Sequence, residues 1–266
     1  MTEGERWARE ALARLRDEGL GPAASVRFLV ASQRRANERR AQRPQLAAQA
    51  RAWSACGALA WLIAAGASAG PCRRRLGSGL AWWGVTALML DWHLGMVETE
   101  AGAPRPLGPA DACTLARCWL VPLACDHAGP LVLAAGFASD GLDGALARAT
   151  APTRAGRDLE GAVDAAFAAA ALRGAVRHGN LSRRAAALEA TRLAAGFGVT
   201  CAAYFGRARA PNRTVARAAR ASTPVRAAGL LAAGLGRPRT ADALVSAGAL
   251  AGIASVVAAF AQRRTA

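Results

Sequence analysis

The chain contains no lysine. Its cationic side chains are arginine throughout, and with 34 of them against 18 acidic residues the net charge is +16. It is also poor in aromatics, with one tyrosine, six phenylalanines and seven tryptophans. A strongly basic chain invites a nucleic-acid reading, but binding of that kind needs aromatic platforms among the cations or a recognition motif. Few aromatics are interleaved with the arginines and no such motif appears, so no nucleic-acid partner is expected. Arginines beside hydrophobic spans instead fit an anionic membrane face. None of the six cysteines pairs with another at Cys-x-x-Cys spacing, and they read as small buried hydrophobes. The first residues, Met1 to Trp7, have no cleavable signal pattern.

Apolar residues make up 53% of the chain, with alanine dominant and several long runs that are almost free of charge. Candidate membrane spans are 54–70, 78–96, 112–126, 129–147, 157–175, 188–206, 223–235 and 241–261. About 20 apolar residues cross a bilayer, so 112–126 and 223–235 are marginal. A soluble all-α bundle competes for each run singly but not for all of them together. The expected fold class is all-α, a polytopic membrane protein. Residues 1–53 form a basic, amphipathic helical region; 54–96 form a hydrophobic hairpin; 97–110, rich in Pro and Gly, is a linker; and 111–266 is a core of six spans. A helix over 3–17 and a second from Ala23 towards Arg40, stopped by Pro44, are expected in the first region.

The centre of the chain carries its chemistry. It reads Asp140-x-x-Asp143-Gly144-x-x-Ala147-Arg148, seven residues, then Gly156-x-x-x-Glu160-x-x-x-Asp164. Steps of three and four place the first set on one face of a helix and the second set on one face of another. Pro152 and small polar residues between them make a helix–helix turn, and an antiparallel pair would bring the acidic stripes together. Carboxylates in apolar surroundings are costly unless paired. Four of them point to a bound cation, and hard oxygen donors suit Mg²⁺ or Mn²⁺.

This pattern resembles the signature of the CDP-alcohol phosphatidyltransferases, Asp-x-x-Asp-Gly-x-x-Ala-Arg followed by Gly-x-x-x-Asp-x-x-x-Asp. Seven of the eight fixed positions match; Glu160 stands where the family has its third Asp. A second stretch, Asp111-Ala-Cys-Thr114-Leu115-Ala-Arg117 with Pro122 beyond, is similar to the opening of the family's first core helix, Asn-x-x-Thr-Leu-x-Arg, with Asp111 for Asn as a helix N-cap. The resemblance covers roughly Asp111 to the C-terminus.

The resemblance implies transfer of a phosphatidyl group from a CDP-linked lipid, CDP-diacylglycerol first, to an alcohol, with release of CMP. It implies a two-metal Mg²⁺ or Mn²⁺ site held by Asp140, Asp143, Glu160 and Asp164, with Asp164 also deprotonating the acceptor. It places the CDP moiety against Gly144, Ala147, Arg148, Gly156, Thr114 and Thr153. It further implies a homodimer in a bacterial plasma membrane with the site facing the cytoplasm. Arg213, Arg217, Arg220 and Arg226 are candidates for a phosphorylated acceptor. Arg148, Arg154 and Arg157, the 207–220 arginines, and Arg263 and Arg264 obey the positive-inside rule on that orientation; Arg73 to Arg75 and Arg177, Arg183 and Arg184 do not. The competing expectation is an inactive relative with a structural membrane role, because glutamate adds a methylene at 160.

Overall fold

The computed structural model describes residues 2–67, 70–99, 101–150, 153–204 and 213–261, with backbone but not side chains at 148, 157, 158, 200, 203, 204, 213–220 and 259–261. The fold class is all-α, as the composition implies; the described residues form helices and no strand. The helices are α1 (Glu3–Asp17), α2 (Pro22–Gln42), α3 (Pro44–Ala67), a single turn α4 (Pro71–Arg74), α5 (Leu76–Trp92), α6 (Pro109–Asp126), α7 (Pro130–Thr150), α8 (Arg154–Arg177), α9 (Arg183–Tyr204), α10 (Arg213–Gly234) and α11 (Pro238–Ala261).

Local chemistry sets their ends. Six of these helices open on proline, whose fixed φ suits the first helical position and whose missing N–H is no loss there. Gly179 and Gly236, just past α8 and α10, sit at φ +71° and +68°, the left-handed conformation that closes a helix and that glycine adopts without strain. Pro44 does not merely interrupt the second helix; it starts α3, so the boundary expected at residue 53 falls inside a continuous helix.

Each candidate span overlaps a helix; 78–96 runs past the end of α5, and residues 68–69 of 54–70 and 205–206 of 188–206 lie outside the described residues. One segment, Pro238–Ala258 in α11, is both long and apolar enough to cross a membrane among the described residues. The others fall short for different reasons: α5, with 17 residues, is too short, while α8 carries Arg154, Arg157, Asp158, Glu160, Asp164, Arg173 and Arg177.

The chain divides into two compact units. The first comprises Met1–Leu123 with Ala138–Phe167. Its core gathers Leu46, Ala47 and Ala50 of α3, Leu90 of α5 and Ala155 of α8. Val97 and Leu107 join that core, so the 97–110 segment is a packed strap rather than a loose linker. Arg43 donates to the carbonyls of Leu94, Val97 and Arg105 at 3.3, 2.9 and 2.8 Å. Gln49 exchanges two hydrogen bonds with the Leu107 backbone, at 3.0 and 2.9 Å. The strap's backbone thus finds the partners that a buried loop needs. Glu5 of α1 pairs with Arg154 at the start of α8. Burial pushes the Glu5 carboxyl up, but the hydrogen bond and charge of Arg154 outweigh it and hold the pKa below its ordinary value.

The hairpin of α3 and α5 is closed by tryptophan on glycine. A Cβ on Gly57 would lie 2.0 Å from the Trp83 ring, and one on Gly79 would lie 2.7 Å from Trp61. The Trp83 indole N–H donates to the Ser54 carbonyl at 2.7 Å. The second unit, Ala124–Phe137 with Ala168–Ala266, holds α9, α10 and α11 packed on one another. Glu189 of α9 is buried there, accepting from Arg192 at 2.7 Å and from Arg226 of α10 at 2.8 Å.

Two outcomes test this packing. Gly57→Ala should destabilise the protein by about 1–3 kcal/mol, the range for overpacking a filled contact, read by thermal unfolding. A carboxyl with a lowered folded pKa contributes stability above its unfolded pKa and loses it as pH falls through the folded one. Amides of α1 should therefore lose protection against hydrogen exchange as pH falls through the acid range, and Glu5→Gln should show that lower protection already at pH 7.

Candidate metal centre

The two acidic stripes meet, as the spacing implies. Asp140 comes from α7, Glu160 and Asp164 from successive turns of α8, and one carboxylate oxygen of each lies within 4.8 Å of the others. All three are partly buried. The α7–α8 connection brings them together: Thr153 caps α8, its hydroxyl accepting from the Gly156 N–H at 2.9 Å and donating to Asp111 Oδ1 at 2.9 Å. Asp111 is the third residue of α6 rather than its N-cap, and its other oxygen accepts the Gly108 N–H at 2.7 Å. This is the backward-reaching half of a capping box. A Cβ on Gly156 would stand 2.8 Å from both Asp111 Oδ1 and Thr153 Oγ1. The glycine is therefore required by this junction itself.

Arg117 organises the acids. It lies on α6, is 1% exposed, and every nitrogen of its guanidinium has a partner. Nε donates to Ser139 Oγ at 3.3 Å. Nη1 donates to Asp164 and lies 3.2 Å from Asp140. Nη2 donates to Asp143 at 3.3 Å. A planar, permanently charged fork is suited to bridging several carboxylates. The sequence pattern marked Arg117 only as part of the α6 motif. The signal for its role was a permanent cation inside the 112–126 apolar run, which needs a buried anion. Nothing in the sequence marked Ser139.

Asp143 stands apart from the other three acids. It is 4% exposed, and its Oδ2 accepts from the Thr114 hydroxyl at 2.5 Å as well as from Arg117. The structure thus brings together three of the four expected ligands and gives the fourth to Thr114 and Arg117. Gly144 and Ala147 are half-buried on the same helix. The side chain of Arg148 lies outside the described residues, as do those of Arg213, Arg217 and Arg220. Arg226 belongs to the Glu189 cluster of the second unit.

The donor set fits a divalent cation. Three hard oxygen ligands converge, and Mg²⁺ and Mn²⁺ favour such donors. When ionised, the four carboxylates exceed the single Arg117 cation among the described side chains, so a further positive charge is favoured between them. Glu160 reaches the group despite its extra methylene.

A cavity of about 110 Å³ lies beside this centre in the first unit, between α5, α6 and α8. Thr114 and Asp111 border one end, and Trp82, Met89, Leu159 and Val163 form apolar walls.

No protein-family model, curated protein or solved structure matches this chain.

Removing Arg117 should leave buried Asp143 and the half-exposed Asp140 and Asp164 without their cation. Arg117→Met is expected to lower stability by about 3–5 kcal/mol in chelator. Mn²⁺ should recover part of that loss. Thermal unfolding with and without Mn²⁺ checks both, and the Mn²⁺ effect should shrink in Asp140→Asn and in Asp164→Asn.

Proposed function

We propose that the chain is an integral-membrane phosphatidyltransferase of the CDP-alcohol type. It moves a phosphatidyl group from a CDP-linked lipid, CDP-diacylglycerol first, to an alcohol and releases CMP. The observation that carries this reading is the meeting of Asp140 with Glu160 and Asp164, one acid from the first half of the motif and two from the second, around a buried arginine. The α11 segment supports membrane insertion, and the overlap of the other candidate spans with helices α3 and α5 to α10 extends that to a polytopic core. An orientation with the centre at the cytoplasmic face and a homodimeric state follow from the resemblance.

Asp140, Glu160 and Asp164 would hold Mg²⁺ or Mn²⁺. Bound divalent ions supply charge neutralisation at the diphosphate oxygens and stabilise the leaving group. The remaining work falls to the chain. The acceptor hydroxyl oxygen forms a bond to the lipid-side phosphorus as the bond from that phosphorus to the CMP oxygen breaks. Asp164 takes the hydroxyl proton on its carboxylate, held in place by Arg117. CMP departs with the bonding pair. Asp143, bonded to Thr114 and Arg117, fixes the guanidinium and hence the other acids. The capped start of α8 orients Glu160 and Asp164 through Thr153 and Asp111. Gly144 and Ala147 leave the α7 face open to a nucleotide. Displacements of about 1 Å in such a constellation can cost about a hundredfold in rate, which is why these supporting bonds matter.

The test is CMP release from CDP-diacylglycerol by the purified full chain with Mg²⁺ or Mn²⁺ and a panel of acceptors: glycerol 3-phosphate, an inositol phosphate, serine and inositol. Release that requires metal and one acceptor, and that falls by about a thousandfold in Asp164→Asn, is the expected result. Folded, membrane-inserted protein that releases no CMP with any acceptor or metal would overturn the reading in favour of an inactive relative.

A further inference from the structure

We infer that the cavity between α5, α6 and α8 is a slot for one acyl chain of a membrane lipid. The inference rests on the lipid-transfer reading only for the identity of the headgroup; the slot itself is argued from its walls. Small side chains on α8 open it, Ala155, Ala162 and Ala166, and they extend over eleven residues, or about 16 Å of helix. Trp82 and Met89 of α5 close the opposite side. The polar groups along it are already engaged. Thr86 shares a hydrogen bond with Cys118 and donates to the Trp82 carbonyl at 3.0 Å, and the Trp82 indole donates to the Cys118 carbonyl at 2.9 Å. A space without free polar partners does not hold water, and apolar ligands enter it instead.

The surroundings identify the occupant. Val85 lines the slot and is 53% exposed, and Ala162 is exposed beside it, so the slot reaches the surface between α5 and α8. Beyond Arg51 the exposed surface of α3, and that of α5, carries large apolar side chains: Leu59, Leu62, Ile63 and Leu88 are all more than 40% exposed. Large apolar side chains exposed together mark a lipid-facing or interaction surface. A chain entering from that face is therefore hydrocarbon. At its other end the slot stops at Asp111, Thr114 and Gly156. Thr114 is the divider: its side chain borders the slot while its hydroxyl bonds Asp143 of the acidic centre. A lipid with one chain in the slot would bring its headgroup to the Thr114 end, one hydrogen bond away from Asp143. Helix α5 belongs to the hairpin that precedes the motif-bearing region, so that hairpin supplies the outer wall of the slot and sets the length and bulk of chain that fits.

Photolabelling tests this. The full chain is inserted in phosphatidylglycerol vesicles doped with phosphatidic acid carrying a diazirine midway along one acyl chain, then irradiated and mapped by peptide mass spectrometry. Adducts are expected on Met89, Cys118 and the 159–166 stretch, and filling the slot with Ala162→Phe should reduce them by about tenfold, the weight of one or two lost methylene contacts. Met89→Ala, which widens the slot from the other wall, should keep or raise the labelling and serves where Ala162→Phe does not fold. Adducts confined to outward residues such as Ile63 and Leu88, or equal labelling in all three proteins, would overturn the slot. Slot adducts without any CMP release would count against the transferase and leave the slot standing; CMP release without slot adducts would do the reverse.

Discussion

A single guanidinium sits where three helices meet, and the chemistry of this chain depends on it. Arg117 is buried on α6 and reaches Asp140 and Asp143 of α7 and Asp164 of α8. A buried arginine is costly without anions, and buried carboxylates are costly without a cation. Each therefore requires the other, and the pairing fixes the positions of three helices at one point. The compensation is incomplete: one cation faces the three carboxylates it touches, and Glu160 adds a fourth. That imbalance distinguishes the centre from a structural ion pair such as Glu189 with Arg192 and Arg226, where two cations surround one acid.

The N-terminal half of the first unit positions this centre. Arg43 and Gln49 pin the strap that leads into α6. Arg154 donates its backbone N–H to the Glu98 carbonyl at 3.0 Å on that strap, and its side chain pairs with Glu5. Asp111 and Thr153 join the first turns of α6 and α8. The start of α8, and with it the register of Glu160 and Asp164, is thus held from three sides. In the hairpin of α3 and α5, α5 also walls the apolar cavity that Thr114 borders.

Much of the centre was legible in the sequence. Acids at steps of four on α8, facing Asp140 on α7 across a short turn, needed only helical periodicity to be placed together. Their partners were harder to foresee. That Asp143 turns to Thr114, and that Arg117 reaches three carboxylates, depends on how α6 packs against α7 and α8, which no local pattern encodes. The 97–110 segment reads as a linker because Pro and Gly dominate it, yet Val97 and Leu107 are buried and its carbonyls are claimed by an arginine more than fifty residues earlier. Asp111 has the composition of an N-cap, but Pro109 starts the helix two residues before it. The hydrophobic runs located the helices. Among the described residues, length and charge together leave the α11 segment as the one long and apolar enough to span a membrane.

The most direct test of a cation held by this arginine-bridged centre is anomalous diffraction from crystals of the protein grown with Mn²⁺. The account predicts a peak about 2.0–2.3 Å from oxygens of Asp140, Glu160 and Asp164, with Asp143 still bonded to Thr114. No peak there at saturating Mn²⁺, with Arg117 still bound to both Asp140 and Asp164, would contradict it and leave the centre a structural ion cluster.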